Sequence, residues 1–367
     1  MSSTTAHLSG SVESRASESA RIPSLDGLRA VSIALVLLGH LPGTRGFPLP
    51  AHEIFVPVAR YGVDVFFVIS GFLITRLLIE EQRRTGSISL KDFYIRRLFR
   101  IFPANYFYVL VMWLCSLAGL FVLAGRDIWR AVTYTMNYVV NPNWYLGHLW
   151  SLSVEEQFYL LWPFLLTRVS RERAVQVAVG VVVLSPFIRV GTAVLAPGQV
   201  PLLDSAFHTV ADALAAGCLL AMCWRQLESW SRYQAFLRSR MFWMVPAVVA
   251  VSIPFSYLSW KFAIAAGSSI QILGSFLIIE RFVRCPGGAA GAFLNWAPVQ
   301  AIGVLSYSLY LWQQPFLHRG SEAWWAVFPL NLAAALAAAA ASYFLVERPF
   351  LALRKKFVKA PVPASPR

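Results

Sequence analysis

The chain has 367 residues, of which 57% are hydrophobic and only 14% charged, with a mean hydropathy of +0.58. A soluble domain carries about 25% charged residues, so this composition excludes a soluble globule, a disordered chain and a collagen-like fibre, and it points to a polytopic membrane protein. The net charge of +14 would suggest nucleic acid in a soluble protein. In a membrane protein it reports on which side of the bilayer the basic residues lie, and no nucleic-acid partner is expected.

Residues 1 to about 22 are rich in Ser, Thr and Ala. They hold no apolar core followed by a small-residue cleavage site, so no signal peptide is predicted and a disordered cytoplasmic tail is. Ten apolar stretches long enough to span follow, at 25–41, 61–79, 101–124, 146–166, 174–195, 205–224, 241–258, 262–280, 299–317 and 324–346. The segment 126–145, with Trp129, Tyr134, Tyr138 and Trp144, reads as an interfacial loop. Residues 23–350 then form one membrane domain, and 351–367 a basic cytoplasmic tail.

Placing the N-terminus inside and alternating puts 24 of the 32 Lys and Arg residues in inner segments and 6 in outer ones, with Arg29 and Arg189 within spans. A missed helix midway would invert every later loop and spoil that bias. The expected architecture is therefore all-α, with about ten transmembrane helices, both termini cytoplasmic, in a bacterial cytoplasmic membrane. The four cysteines, Cys115, Cys218, Cys223 and Cys285, match no zinc or redox spacing, and no metal site is expected. Neither a GxxxxGK[ST] loop, a dinucleotide fingerprint after a strand, nor an HExxH motif is present, so nucleotide-driven pumping and dehydrogenase chemistry have no support.

Ionisable side chains inside a span cost several kcal/mol and are functional candidates by default. The first span, LDGLRAVSIALVLLGH, sets Arg29 and His40 eleven residues apart. Eleven steps of about 100° make nearly three full turns, so both lie on one helical face, about 16 Å apart along the axis. Asp64 enters the second span from the same side as His40 and could orient its imidazole; capping the helix start is its plainer role. Ser70 and Gly71 near mid-membrane suggest close helix packing. The loop before the third span ends KDFYIRRLFRIFPANY, whose Arg96, Arg97 and Arg100 make a basic amphipathic segment. It fits either an anchor to anionic lipid or a clamp for a phosphorylated donor. In the fourth span, Glu155 and Glu156 project about 100° apart, so only one easily faces a given site. In the sixth, Asp204, His208 and Asp212 fall at i, i+4 and i+8, one helical face, with Arg189 of the fifth span as an expected partner.

In order, LDGLRAVSIALVLLGH, GVDVFFVISGFLI, FYIRRLFRIFPANY, LWSLSVEEQFYLLWP, IGVLSYSLYLWQQPF and YFLVERPF resemble the successive signatures of the acyltransferase-3 family, bacterial integral-membrane O-acyltransferases that modify surface polysaccharides, peptidoglycan, nodulation factors or macrolides. The resemblance covers about residues 21–352. It implies an Arg-x10-His pair at Arg29 and His40, a basic loop at Arg96, Arg97 and Arg100, an intramembrane Glu at Glu156 and an Asp at Asp212. Many members carry a His in the late SYSLYLWH-x-P motif, where this chain has Gln313 and Gln314. Some members also carry a fused extracytoplasmic hydrolase-like domain, which is not expected here.

The resemblance implies transfer of an acyl group, expected to be acetyl, from a cytosolic acyl-CoA donor to a carbohydrate hydroxyl of a polysaccharide or glycolipid, with no tightly bound cofactor. Arg96, Arg97, Arg100 and Arg29 would bind the phosphates of acetyl-CoA. His40 would be the general base, with Asp64 or Glu156 orienting it or stabilising the imidazolium. Direct transfer ranks ahead of an acyl-enzyme because no Cys or Ser sits obviously beside His40. A small-metabolite acyltransferase, such as one acting on macrolides, is the next reading. A proton-coupled transporter would account for the ten stretches and the Asp204/His208/Asp212 stripe, though not for the Arg-x10-His match.

Overall fold

The computed structural model describes residue 22 and residues 24–50 and 54–357. Among them every regular element is helical, and each of the ten apolar stretches contains one long helix. These are α1 Leu25–His40, α2 Phe55–Thr85, α3 Leu90–Leu117, α4 Trp150–Arg168, α5 Arg171–Leu195, α6 Phe207–Met222, α7 Arg240–Leu258, α8 Trp260–Arg284, α9 Ala297–Phe316 and α10 Leu330–Lys356.

Length and composition set a stricter count than the hydropathy of the sequence. Six of these helices (α2, α3, α5, α7, α8 and α10) are long and apolar enough to cross a membrane by themselves. A seventh candidate is α9 taken with the short helix Gly288–Leu294, which meets it at a 52° bend. The shortfall against ten has physical causes. With 16 residues each, α1 and α6 are about 24 Å long, short of a hydrocarbon core about 30 Å thick. Helix α4 carries Glu155, Glu156 and Arg168 in its 19 residues. The chain is a multi-pass membrane protein whose described core combines self-sufficient spans with helices that are shorter, such as α1 and α6, or carry more charge, such as α4.

Local signals account for the ends and crossings. Gly86 takes φ +80° just after α2, a conformation that glycine adopts without penalty. Ser89 then caps α3 by accepting from the Asp92 amide at 3.2 Å. Glu81 closes this turn from the other side, accepting from the Ser89 amide at 3.0 Å and from Arg96 at 2.7 Å. Helices α2 and α6 cross at Gly71 and Gly217, where a Cβ on either residue would run into the backbone of the other helix, at Leu214 and Val68 respectively. The small residues of the second span thus serve close packing, as expected from the sequence.

Two readings of the sequence change here. The segment 126–145 is partly helical, with Gly125–Val132 and a single turn at Met136–Tyr138. The basic C-terminal segment continues α10 as helix through Lys356 rather than beginning as a tail at 351. The proposed N-terminal tail falls on residues 1–21 and 23, outside the described residues, as do 51–53 and 358–367.

Candidate functional site

Helices α1, α2, α3, α4 and α9 enclose a cavity of about 100 Å³. The contributing faces follow helical periodicity. Helix α1 gives Arg29; α2 gives Val63, Phe67, Ser70 and Ile74; α3 gives Arg97 and Arg100; α4 gives Ser151, Glu155 and Tyr159; α9 gives Tyr307 and Tyr310. Spacings of three, four and seven residues put each set on one stripe of its helix. A second cavity of about 390 Å³ lies toward the other ends of α1 and α9, lined by His40, Arg60, Trp144, His148 and Gln314 among others. Segment 136–144 forms one of its walls. Val63 and Tyr310 line both cavities, so a single layer of side chains separates the arginine cavity from the histidine cavity. Arg29 and His40, on one face of α1, each reach a different one.

In the arginine cavity, Arg29 pairs with Asp26 at 3.1 Å. Arg97 lies over the rings of Phe93 and Tyr159, 5.7 and 5.3 Å from their centroids. Its Nε is buried without a hydrogen-bond partner. Arg96 does not join them, because its guanidinium is held by Glu81 in the α2–α3 turn. Of the two adjacent glutamates, Glu155 faces the cavity and accepts from the Ser70 hydroxyl at 2.6 Å. Glu156 is turned about 100° away; it is not among the residues lining the cavity, and its Oε1 is buried without a partner. The Ser151 hydroxyl donates to the Tyr310 oxygen at 2.7 Å, and Tyr310 donates to the His148 carbonyl at 2.8 Å.

In the histidine cavity, His40 Nδ1 lies 2.9 Å from Gln313 Oε1, and the imidazole meets Trp144 edge-on at 5.5 Å. Asp64, expected beside His40, is engaged elsewhere. It accepts from Arg60 Nε at 3.1 Å, one turn back on the same helix, and Arg60 also pairs with Asp204 at 3.5 Å. Nor does Glu156 reach His40: the imidazole is oriented by an amide and not by a carboxylate. The expected stripe on the sixth span is broken as well. Asp204 precedes α6, which starts at Phe207, and its side chain is exposed; His208 is exposed at the helix start. Asp212 is buried and bound to Arg189 at 2.7 Å, as the sequence led one to expect. Arg189 further donates to the Thr209 and Ile264 carbonyls and to the Ser269 hydroxyl. This network lies among α5, α6 and α8; neither Arg189 nor Asp212 lines either cavity, though Asp212 is close enough to Arg60 of the histidine cavity to interact with it electrostatically.

Sequence reasoning did not single out Tyr310 or Arg60, and gave Gln313 only as a departure. Their signal was present: a run of polar and aromatic residues at helical spacing on α9, Ser306, Tyr310, Gln313 and Gln314. It becomes legible only once the stripe is known to face a cavity.

Apolar helices around two neighbouring polar-lined cavities define a membrane protein with a polar interior. A family model described as an acyltransferase domain, that of the acyltransferase-3 family, matches residues 22–347, and the chain belongs to this family. It is 31% identical over 337 residues to the O-acetyltransferase OatA of Staphylococcus aureus strain NCTC 8325, covering 81% of this chain and 50% of that protein. It is 27% identical over 380 residues to the peptidoglycan O-acetyltransferase OatA of Listeria monocytogenes, covering 93% of this chain and 56% of that protein. The chain thus spans about half the length of these curated relatives. No solved structure matches it.

Proposed function

We propose that the protein is a membrane O-acetyltransferase that moves an acetyl group from a cytosolic acetyl-CoA donor to a hydroxyl of a cell-wall carbohydrate, of the peptidoglycan kind named for the Listeria relative. One observation carries this reading. Arginines line one cavity, a histidine whose Nδ1 is engaged lines the next, and Val63 and Tyr310 line both. Arg29, Arg97 and Arg100 supply charge-assisted donors for phosphate oxygens. The small volume beyond them suits a pantetheine thiol end and a short acyl group. His40 Nε2 removes the proton of the acceptor hydroxyl as its oxygen attacks the thioester carbonyl. The C–S bond breaks, the CoA thiolate leaves toward the arginine cavity, and the imidazolium proton neutralises it.

Direct transfer is preferred because the Ser151 hydroxyl already serves Tyr310 and that of Ser70 serves Glu155. The basic-residue bias supports an orientation in which the arginine cavity opens to the cytoplasm and the histidine cavity to the outside, in a ten-span arrangement with both termini cytoplasmic. The test is transfer of labelled acetyl from acetyl-CoA to cell-wall glycan fragments by purified protein in lipid nanodiscs. The His40→Ala variant should lose at least about a hundredfold in turnover while keeping its thermal transition. Full activity in a folded His40→Ala protein would sink the base assignment.

A further inference from the structure

We infer that Gln313 and Gln314 form a relay that fixes the tautomer of His40, holding its proton on Nδ1 and its lone pair on Nε2. The inference deepens the proposed role of His40 as a base and rests on that reading for its catalytic meaning. The direction of the relay is set by a group that has no choice. The Trp144 carbonyl can only accept, and Gln314 Nε2 lies 2.9 Å from it; the Gln314 amide must therefore point its NH₂ there. The reciprocal bond, from Trp144 Nε1 to the Gln314 carbonyl at 2.8 Å, holds the two residues in register.

With its NH₂ committed, Gln314 offers Oε1, which lies 2.7 Å from Gln313 Nε2. Turning Gln313 over would bring two carbonyl oxygens together, so its Oε1 faces His40 Nδ1, 2.9 Å away. An oxygen that can only accept requires Nδ1 to carry the hydrogen, which leaves Nε2 unprotonated. Gln313 is fully buried and Gln314 is 5% exposed, so bulk water does not compete for these amides and the polarity of the chain is retained. Without the relay, the neutral imidazole would exchange between two tautomers, of which only one has its lone pair on Nε2. Gln313 is thus a positioning residue and Gln314 supports it.

The decisive experiment is ¹⁵N NMR of histidine-labelled full-length protein in nanodiscs, with His40 assigned by subtracting the spectrum of His40→Gln. The expected result at neutral pH is a pyrrole-type Nδ1 and a pyridine-type Nε2. Gln313→Met keeps the volume but removes the acceptor. It should mix the tautomers and lower kcat by at least about tenfold, with KM for donor and acceptor moving less than about twofold. Gln313→Glu, protonated on the oxygen that faces Gln314 Oε1, keeps a donor there and an acceptor at Nδ1 and should return His40 to the Nδ1–H form with most of the turnover. A pyrrole-type Nε2 in the native protein, or an unchanged spectrum and kcat in folded Gln313→Met, would overturn the relay. If Gln313→Met does not fold, the native spectrum still decides. Full turnover by His40→Ala beside a native Nδ1–H signal would instead remove the base role and leave the tautomer assignment standing.

Discussion

Arg96, Arg97 and Arg100 lie within five residues of α3, yet they meet different fates. Residues 97 and 100 are three apart and share a face, whereas residue 96 is rotated about 100° from residue 97; the first two line the arginine cavity and the third is tied to Glu81. Donor binding should divide accordingly. Arg97→Ala and Arg100→Ala should each weaken binding of labelled acetyl-CoA by about tenfold, since a hydrogen bond to a charged group contributes about 1.5–3 kcal/mol. Arg96→Ala should leave donor affinity within about twofold and lower the thermal midpoint slightly, as befits a half-exposed ion pair. The adjacent glutamates divide by the same geometry. Glu155→Gln should cut turnover more than Glu156→Gln in the glycan transfer assay, because Glu155 is the one that faces the cavity beside Ser70. An equal effect of both changes would contradict the site as described.

At the scale of elements, two joints hold the helices that carry the site. The Gly71–Gly217 crossing lets α2 and α6 touch backbone to backbone. That fixes the register of α2 and with it the positions of Val63, Phe67 and Ser70 along the cavity wall. Gly71→Val should destabilise the protein by at least about 1–3 kcal/mol through overpacking, seen as a lower midpoint in a thermal scan in detergent. The Arg189–Asp212 pair joins α5 to α6, and through Ser269 and the Ile264 carbonyl to α8. Both side chains are at most 4% exposed, so Asp212→Ala strands a buried guanidinium and should cost about 3–5 kcal/mol. Because neither residue lines the arginine cavity, the variant that does fold should keep the native KM for acetyl-CoA. A raised KM would mean that Asp212 belongs to the site after all.

For the whole molecule, the consequence of the proposed transfer is that the acyl group must pass where the two cavities share a wall. Val63 is buried and lines both cavities, as does Tyr310. Val63→Trp should therefore block transfer while leaving acetyl-CoA binding intact; loss of both together would mean that the chambers are not connected in this way. Orientation is open to a separate check. Ser87 and Glu322 are exposed, in the α2–α3 turn and in the segment between α9 and α10. In a background with Cys115, Cys223 and Cys285 changed to Ser, Ser87→Cys should react with an impermeant maleimide only from the cytoplasmic side. Glu322→Cys should react only from the outside. The opposite result would invert the proposed direction of transfer.

Composition and periodicity were sufficient for a helical membrane protein, for the positions of its ten long helices, and for placing Arg29 and His40 on one face of α1, because hydropathy and a 100° repeat are local properties of the chain. The ordered signatures were sufficient for the family, because each is a contiguous string. Several matters depended on folding. Asp64 went to Arg60 rather than to His40, Asp204 fell outside the helix that was to carry it, and Glu155 rather than Glu156 faced the cavity. Arg60 stands one turn before Asp64 on the same helix, a spacing the sequence carries, but only folding shows that this cation, and not His40 on the neighbouring helix, takes the carboxylate. The partner of His40 is the clearest case. Gln313 lies 273 residues away in sequence, an uncharged amide that composition treats as unremarkable, and its proposed role follows only from the packing of α9 against α1, which buries the amide and sets its oxygen against the imidazole nitrogen.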